Sequence, residues 1–147
     1  MRVVVQRVLS AQVKVDNTIV GSIGSGLLVF LGISVEDSEK DADYLLKKIT
    51  ALRIFEDDSA VMNRSLVDVQ GELLIVSQFT LQANTKKGNR PSYIEAARPE
   101  KALPLYHYFL DQAECLMAKE VASGEFGADM KVNLENDGPV TFVVDSR

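Results

Sequence analysis

At 147 residues, with 46% hydrophobic and 25% charged positions, the chain has the size and make-up of one globular domain spanning residues 1–147. No apolar run reaches the roughly 20 residues that a membrane-crossing helix needs, and the opening MRVVVQRV is too short for a signal-peptide core. The net charge of −5 argues against a general nucleic-acid coat protein, although it leaves room for a local basic patch. One cysteine, Cys115, excludes an internal disulfide and a thiolate-built structural zinc site, and it suits a reducing cytoplasm.

The first third reads as strands. RVVVQRVLSAQVKVD is rich in valine, and Asp16-Asn17 supplies a hairpin turn before TIVGSIG. After Gly24-Ser25-Gly26, the continuous run LLVFLGI suits a strand buried on both faces. A first helix follows: Ser38 and Asp41 have the spacing of a capping box, and Ala42, Leu45, Leu46, Ile49 and Leu52 form one apolar stripe. GELLIVSQFTL is the strongest strand signal in the middle of the chain. Residues 83–99 lack periodicity and carry Lys86, Lys87, Arg90 and Arg98, a basic loop in an acidic protein. A second helix is expected over Leu103–Ala122, with Pro104 in its first turn and Leu105, Phe109, Ala113, Leu116, Met117 and Val121 on its stripe. MKVNLEN and VTFVV then read as two closing strands joined at Gly138-Pro139. The pattern is that of an α+β domain with a mostly antiparallel, curved sheet and two main helices.

The usual catalytic constellations are missing. His107 is the only histidine and reads as a surface or boundary residue of the second helix. Cys115 reads as a small core or boundary residue beside the apolar stripe. No His, Cys or carboxylate motif builds a metal site, and GSIGSG lacks the Lys-Ser/Thr ending of a phosphate loop, so no metal or cofactor is expected. What remains is hydroxyl and amide chemistry. Ser77-Gln78-Phe79-Thr80 ends a hydrophobic strand on an abrupt polar set, with Ser77 and Phe79 on one face and Gln78 and Thr80 on the other. It reads either as a strand leaving the core or as a strand end offering N–H groups and a hydroxyl to a substrate carbonyl. No neighbouring histidine is available to activate Thr80 as a nucleophile.

SQFTL at Ser77–Leu81 together with NDGPVT at Asn136–Thr141 resembles the two signature motifs of the D-aminoacyl-tRNA deacylases. MRVVVQRV, GLLVFLGI, DADYLLKKI, LRIFED, KGNRPSY and FGADMKV extend the resemblance along the whole chain, with departures at Gln82 and Asn84 in the basic loop. The resemblance implies a homodimer of compact β-barrel-like subunits, in which a cis Gly138–Pro139 bond reaches into the partner's active site. It implies hydrolysis of the ester joining a D-amino acid or glycine to the terminal adenosine of tRNA, with L-aminoacyl-tRNA spared. It also implies assistance from the RNA's own 2′-hydroxyl in place of a protein acid–base pair, and neither DNA nor membrane as a partner.

By the same resemblance, Ser77 and Gln78 shape the adenosine and aminoacyl pocket, Thr80 lies near the ester, and backbone N–H groups at Phe79 and Thr80 are candidates for oxyanion stabilisation. Gly138 and Pro139 would form the chirality filter, Arg7 and Asn136 would support it, and Met130 would line the pocket beside it. Arg7 is expected to pin the loop through backbone carbonyls, unless it simply faces solvent on an edge strand; packing in the core is the alternative for Met130. Lys86, Lys87 and Arg90, with Arg98, would contact tRNA phosphate or form a solvated loop. Two other functions fit the chain: a relaxed L-alanyl-tRNA deacylase of the same fold, and a non-catalytic nucleic-acid-binding protein.

Overall fold

The computed structural model describes residues 1–147. Strand β1 (Arg2–Val15) turns at Asp16 and Asn17, both at positive φ (48° and 62°), into antiparallel β2 (Thr18–Ile23). Two consecutive left-handed residues are what a tight two-residue hairpin requires. Strand β3 (Gly26–Gly32) pairs antiparallel with the first half of β1, from Arg2 opposite Gly32 to Val8 opposite Gly26. One edge of β1 therefore serves β3 first and β2 afterwards. Exposed Leu9 and Ser10 mark the change, where the register against the strand on the other edge also shifts.

Helix α1 (Glu39–Ala51) carries the chain back from β3. The Asp41 carboxylate accepts hydrogen bonds from the Ser38 N–H (2.9 Å) and hydroxyl (3.0 Å), the reach-back half of a capping box. Ala42, Leu45, Leu46 and Ile49 are buried as the stripe predicts, while Leu52 is the half-buried C-cap. After the small hairpin of β4 (Phe55–Glu56) and β5 (Met62–Arg64), β6 (Glu72–Ser77) lies parallel to β3. Helix α2 (Pro99–Met117) then leads to β7 (Ala122–Ser123), parallel to β6. The curved sheet thus combines antiparallel ladders around β1 with two parallel ones, each bridged by a helix, because a parallel pairing needs a long crossover.

Helix α2 begins four residues before the expected Leu103. Pro99 occupies the first turn, where its missing N–H costs nothing, and Pro104 falls further inside. The helix ends at Ala118 in the left-handed region (φ 53°), so Val121 is buried beyond the helix and not on its stripe. Cys115 and Leu116 are exposed, which corrects the core or boundary placement of the cysteine, and His107 is exposed as expected. The stripe also omitted Tyr106, which is fully buried; its hydroxyl donates to Ile75 O (3.0 Å). Burial pushes the Tyr106 pKa up to about 12.

The largest correction concerns the C-terminal segment. MKVNLEN and VTFVV are not two strands joined by a reversal but one strand, β8 (Lys131–Asp145), antiparallel to β1 from Lys14 opposite Lys131 to Arg2 opposite Asp145. Between Asn136 (opposite Val8) and Thr141 (opposite Gln6), Asp137–Val140 face Arg7 alone. Gly138 and Pro139 form the middle of a wide bulge, which lets a strand bend and protrude without ending.

Two cores result. Val3, Val5, Leu27, Val29, Leu31, Leu73 and Ile75 pack beneath the two helices. Val8, Ala11, Val13, Ile23, Leu28, Leu74 and Val76 face the barrel interior. The continuous apolar run of β3 is divided between these cores, as strict alternation along a doubly covered strand requires. Each fully buried leucine or valine contributes about 1.5–3 kcal/mol relative to exposure. The barrel nearly closes where β2 meets β7: a Cβ added at Gly21 would sit 2.5 Å from Ser123 O, so only glycine permits that approach. No helix is long and apolar enough to cross a membrane.

Candidate active site

A cleft of about 570 Å³ opens at the end of the sheet where β3 and β6 finish. Val76, Ser77, Gln78 and Phe79 form one wall, and Leu31 and Ile33 lie beside them. The opposite wall comes from the start of α2 (Arg98, Pro99, Ala102) and from Phe126–Met130, just before β8. Its third side is the segment carrying Tyr93, Ala96 and Ala97, which is laid against the end of β3 by Val35 N–H to Glu95 O and Ala97 N–H to Ile33 O bonds (3.0 and 2.9 Å).

The strand expected to run through SQFTL stops at Ser77. Gln78 N–H makes one more ladder bond, to Leu31 O (2.8 Å), and Phe79–Gln82 then form a 3₁₀ turn. The expected alternation of faces therefore ends at Gln78. Gln82 secures the turn by donating its side-chain amide to Gly32 O (2.8 Å). Within the turn the first hydrogen bond is Leu81 N–H to Gln78 O, so the N–H groups of Phe79 and Thr80 precede it without an acceptor in the turn, and no side chain caps them. Those are the donors that the sequence reading put forward. Thr80 Oγ1 accepts from the Gln78 amide (2.6 Å) and lies just outside the cleft lining, while Ser77, Gln78 and Phe79 are in it. The Phe79 ring meets Tyr93 edge-on at 5.1 Å, an exposed aromatic pair at the mouth.

Met130 lines the cleft, with its sulfur so near Gly124 that a Cβ there would approach within 2.6 Å. Gly138 and Pro139 do not line it. Their peptide bond is cis, as the resemblance implies. They sit at the level of Arg7, which pairs with Leu27, which in turn pairs with Leu73; Ser77 is four residues further along β6. At about 3.3 Å per residue that is about 13 Å along the strands, in addition to the sheet width between β8 and β6. Within one chain the two signature motifs stand apart.

Arg7 is 5% exposed, which overturns the solvent-facing reading: β1 is paired on both edges, and Arg7 points beneath the helices. Nor does it bond to carbonyls of the Gly-Pro bulge. Its Nη1 donates to Ile54 O, and its Nε lies 3.0 Å from Asp137 Oδ2, an ion pair without hydrogen-bond alignment. Asn136 closes the bulge from the other side, donating its amide to Arg7 O (3.1 Å) and Val140 O (3.0 Å). Lys86, Lys87 and Arg90 are exposed in a loop pinched by paired Asn84 and Ser92 and leading to Tyr93, at the rim; Arg98 is in the cleft itself. Arg98, Tyr93, Ala102, Phe126 and Asp129 were not singled out from sequence as cleft residues, because their separate segments meet only through the fold.

A nearly closed barrel with two helices on one side, an apolar cleft rimmed by hydroxyl, amide and backbone donors, and a glycine-proline bulge beside a buried arginine define a small α+β scaffold of barrel-like type. The sequence pattern of a family described as D-Tyr-tRNA(Tyr) deacylase matches residues 4–145, and the chain belongs to that family of ester hydrolases. A protein of Flavobacterium psychrophilum named D-aminoacyl-tRNA deacylase is 56% identical over all of this chain and 98% of its own length. One of Bacteroides fragilis with the same name is 53% identical over the same spans. A solved structure described as "c-Myc DNA Unwinding Element Binding Protein" superposes with a TM-score of 0.94 at 43% identity, covering 100% of this chain and 99% of the other. Another, of "a probable eukaryotic D-amino acid tRNA deacylase", is 20% identical with a TM-score of 0.84 over 98% of each chain and shows the shared fold.

Proposed function

We propose that this protein hydrolyses the ester of D-aminoacyl-tRNA, releasing the free D-amino acid and tRNA. The observation that carries the reading is the position of the cleft: in a chain of this family, Ser77, Gln78 and Phe79 line an apolar pocket at a strand end. Water attacks the ester carbonyl carbon, the carbonyl oxygen gathers negative charge, and the bond to the ribose oxygen breaks as that oxygen takes up a proton. The Phe79 and Thr80 N–H groups stabilise the oxyanion. No histidine or cysteine lines the cleft, and the RNA's 2′-hydroxyl, fixed next to the ester, assists the proton transfer. An aminoacyl ester is already activated, so orientation and charge stabilisation supply the chemistry that remains.

Handedness is read by Gly138 and Pro139 of a second copy of the chain. The separation of the two motifs within one chain supports delivery from a partner, in a homodimer with a site at each interface. Inverting the α-carbon exchanges hydrogen and side chain while the amino and carbonyl anchors stay fixed. Backbone atoms against that carbon exclude the L side chain by overlap. Glycine offers nothing to exclude, so glycyl-tRNA, including tRNA(Ala) mischarged with glycine, is also cleaved. The rim cations Lys86, Lys87 and Arg90 hold tRNA phosphate, and the reaction belongs to the cytoplasm, where tRNA is charged.

Release of D-tyrosine from D-tyrosyl-tRNA by the purified protein tests the activity; an unchanged ester in its presence refutes it. A nucleic-acid-binding role without hydrolysis is the second reading, favoured by the name of the 43% identical structure and opposed by the net charge of −5.

A further inference from the structure

The end of α1 and the Gly-Pro bulge are held together by one side chain. Arg7 donates to Ile54 O, two residues beyond the α1 C-cap Leu52, and pairs with Asp137, the residue before Gly138. The segment just beyond α1 is thereby tied to the bulge through Arg7. Along the last turns of α1 and just beyond them, Tyr44, Lys47, Lys48, Ala51, Leu52 and Arg53 line a shallow depression of about 400 Å³.

Tyr44, the two lysines and Arg53 are exposed, and none of the three cations forms an ion pair. Lys48 lies in the last turn of α1, where a cation also offsets the helix C-terminus. Arg53 donates its Nε to Asn63 O (2.9 Å), which fixes the guanidinium on the surface. Asp68 accepts the Ser65 N–H and hydroxyl and feels the charge of Arg53, Asp58 pairs with Arg64, and Asp43 accepts the Tyr108 hydroxyl; none of the three forms an ion pair with Lys47, Lys48 or Arg53. A depression lined by three cations outside any ion pair and an aromatic ring, on a protein of net charge −5, complements a polyanion. Lysine and arginine bind phosphate, and an exposed tyrosine can stack on an unpaired base.

We propose that Tyr44, Lys47, Lys48 and Arg53 form an RNA phosphate-binding surface that serves the opposite subunit's cleft. This rests on the reading above, in which a second copy's Gly138 and Pro139 enter the cleft. The subunit that inspects the amino acid then also grips the phosphates that precede the terminal adenosine. Lys86, Lys87 and Arg90 of the cleft's own subunit supply further phosphate contacts in the same proposal.

The test is the triple variant Lys47→Ala/Lys48→Ala/Arg53→Ala, assayed on D-aminoacyl-tRNA and on the D-aminoacyl ester of adenosine, which has no phosphates. The expected result is a KM for the tRNA raised about tenfold, with hydrolysis of the adenosine ester unchanged. The salt dependence of log kcat/KM should flatten by about 0.7–0.9 per lost phosphate contact. Lys47→Arg/Lys48→Arg should keep the wild-type KM. In mixed dimers selected by two affinity tags, one subunit carries Ala96→Trp to fill its cleft. The triple variant should then raise KM when placed on the filled subunit and do nothing on the open one. The reverse assignment, an unchanged KM, or an equal loss on the adenosine ester each overturns the proposal while leaving the deacylase reading intact. A wild-type protein inactive on both substrates overturns both.

Discussion

Arg7 and Asp137 tie the Gly-Pro bulge to the interior of the protein: the buried guanidinium Nε lies 3.0 Å from the half-exposed carboxylate while Nη1 holds Ile54 O. Because Arg7 is the single β1 residue spanned by the bulge, its side chain fixes the position of Gly138 relative to the helices. Replacing Arg7 by leucine leaves the Ile54 carbonyl without its donor and Asp137 without its cation. The expected cost is about 1–3 kcal/mol, the usual penalty for orphaning a buried polar group. Urea unfolding of the variant and the wild type measures it, and a change below about 0.5 kcal/mol, the range of ordinary surface substitutions, would mean that Arg7 does not anchor the bulge.

Gly138→Ala changes the bulge from the other side. Gly138 has φ +124°, and an added Cβ would lie 2.7 Å from Val140 Cγ2 and 3.2 Å from Arg7 Nη2. The Val140 side chain must give way, and at this φ any side chain strains the backbone whatever the space. The expected outcome is weaker rejection of L-aminoacyl-tRNA, seen as a lower D-to-L ratio of kcat/KM; an unchanged ratio would remove Gly138 from the filter.

These two positions also show where the sequence was legible. The α+β class, the helices, the hairpin at Asp16-Asn17 and the β3 run follow from periodicity and turn chemistry, which are local. Gly138-Pro139 is locally a turn signal, and nothing local distinguishes a reversal from a bulge; the pairing of β8 with β1 on both sides decides it. Arg7 was ambiguous for the same reason, since its burial depends on partners at both edges of β1. Ser77–Phe79 could be placed at a site from their motif, but Arg98, Phe126 and Asp129 join them only when α2 and the segment before β8 meet over the sheet.

Asp41 makes the protein acid-labile in a defined window. Burial disfavours its charge, but hydrogen bonds from Arg147, Ser146 and Ser38 outweigh that and hold its pKa well below the usual carboxylate range. A carboxylate whose pKa is lowered by folding contributes stability that is present above its unfolded pKa of about 3.9 and is lost as pH falls towards the folded value. Thermal unfolding should therefore show a falling Tm below about pH 4, and Asp41→Asn should lower Tm at pH 7 and flatten that slope. A variant with the wild-type slope would assign the acid sensitivity elsewhere.

Lys86→Ala/Lys87→Ala removes two cations from the rim loop. The expected outcome is weaker tRNA binding at low salt and a salt slope shallower by about 1.4–1.8, two phosphate contacts at about 0.7–0.9 each. Filter binding across a salt series checks it, and an unaltered slope would leave these lysines solvated.

The most direct measurement is hydrolysis of one tRNA charged in turn with D-, L- and glycyl residues, by the purified protein without added metal. The D-aminoacyl and glycyl esters should be cleaved and the L-aminoacyl ester spared. Cleavage of the L ester as fast as the D ester, or of none of the three, would contradict the proposed function.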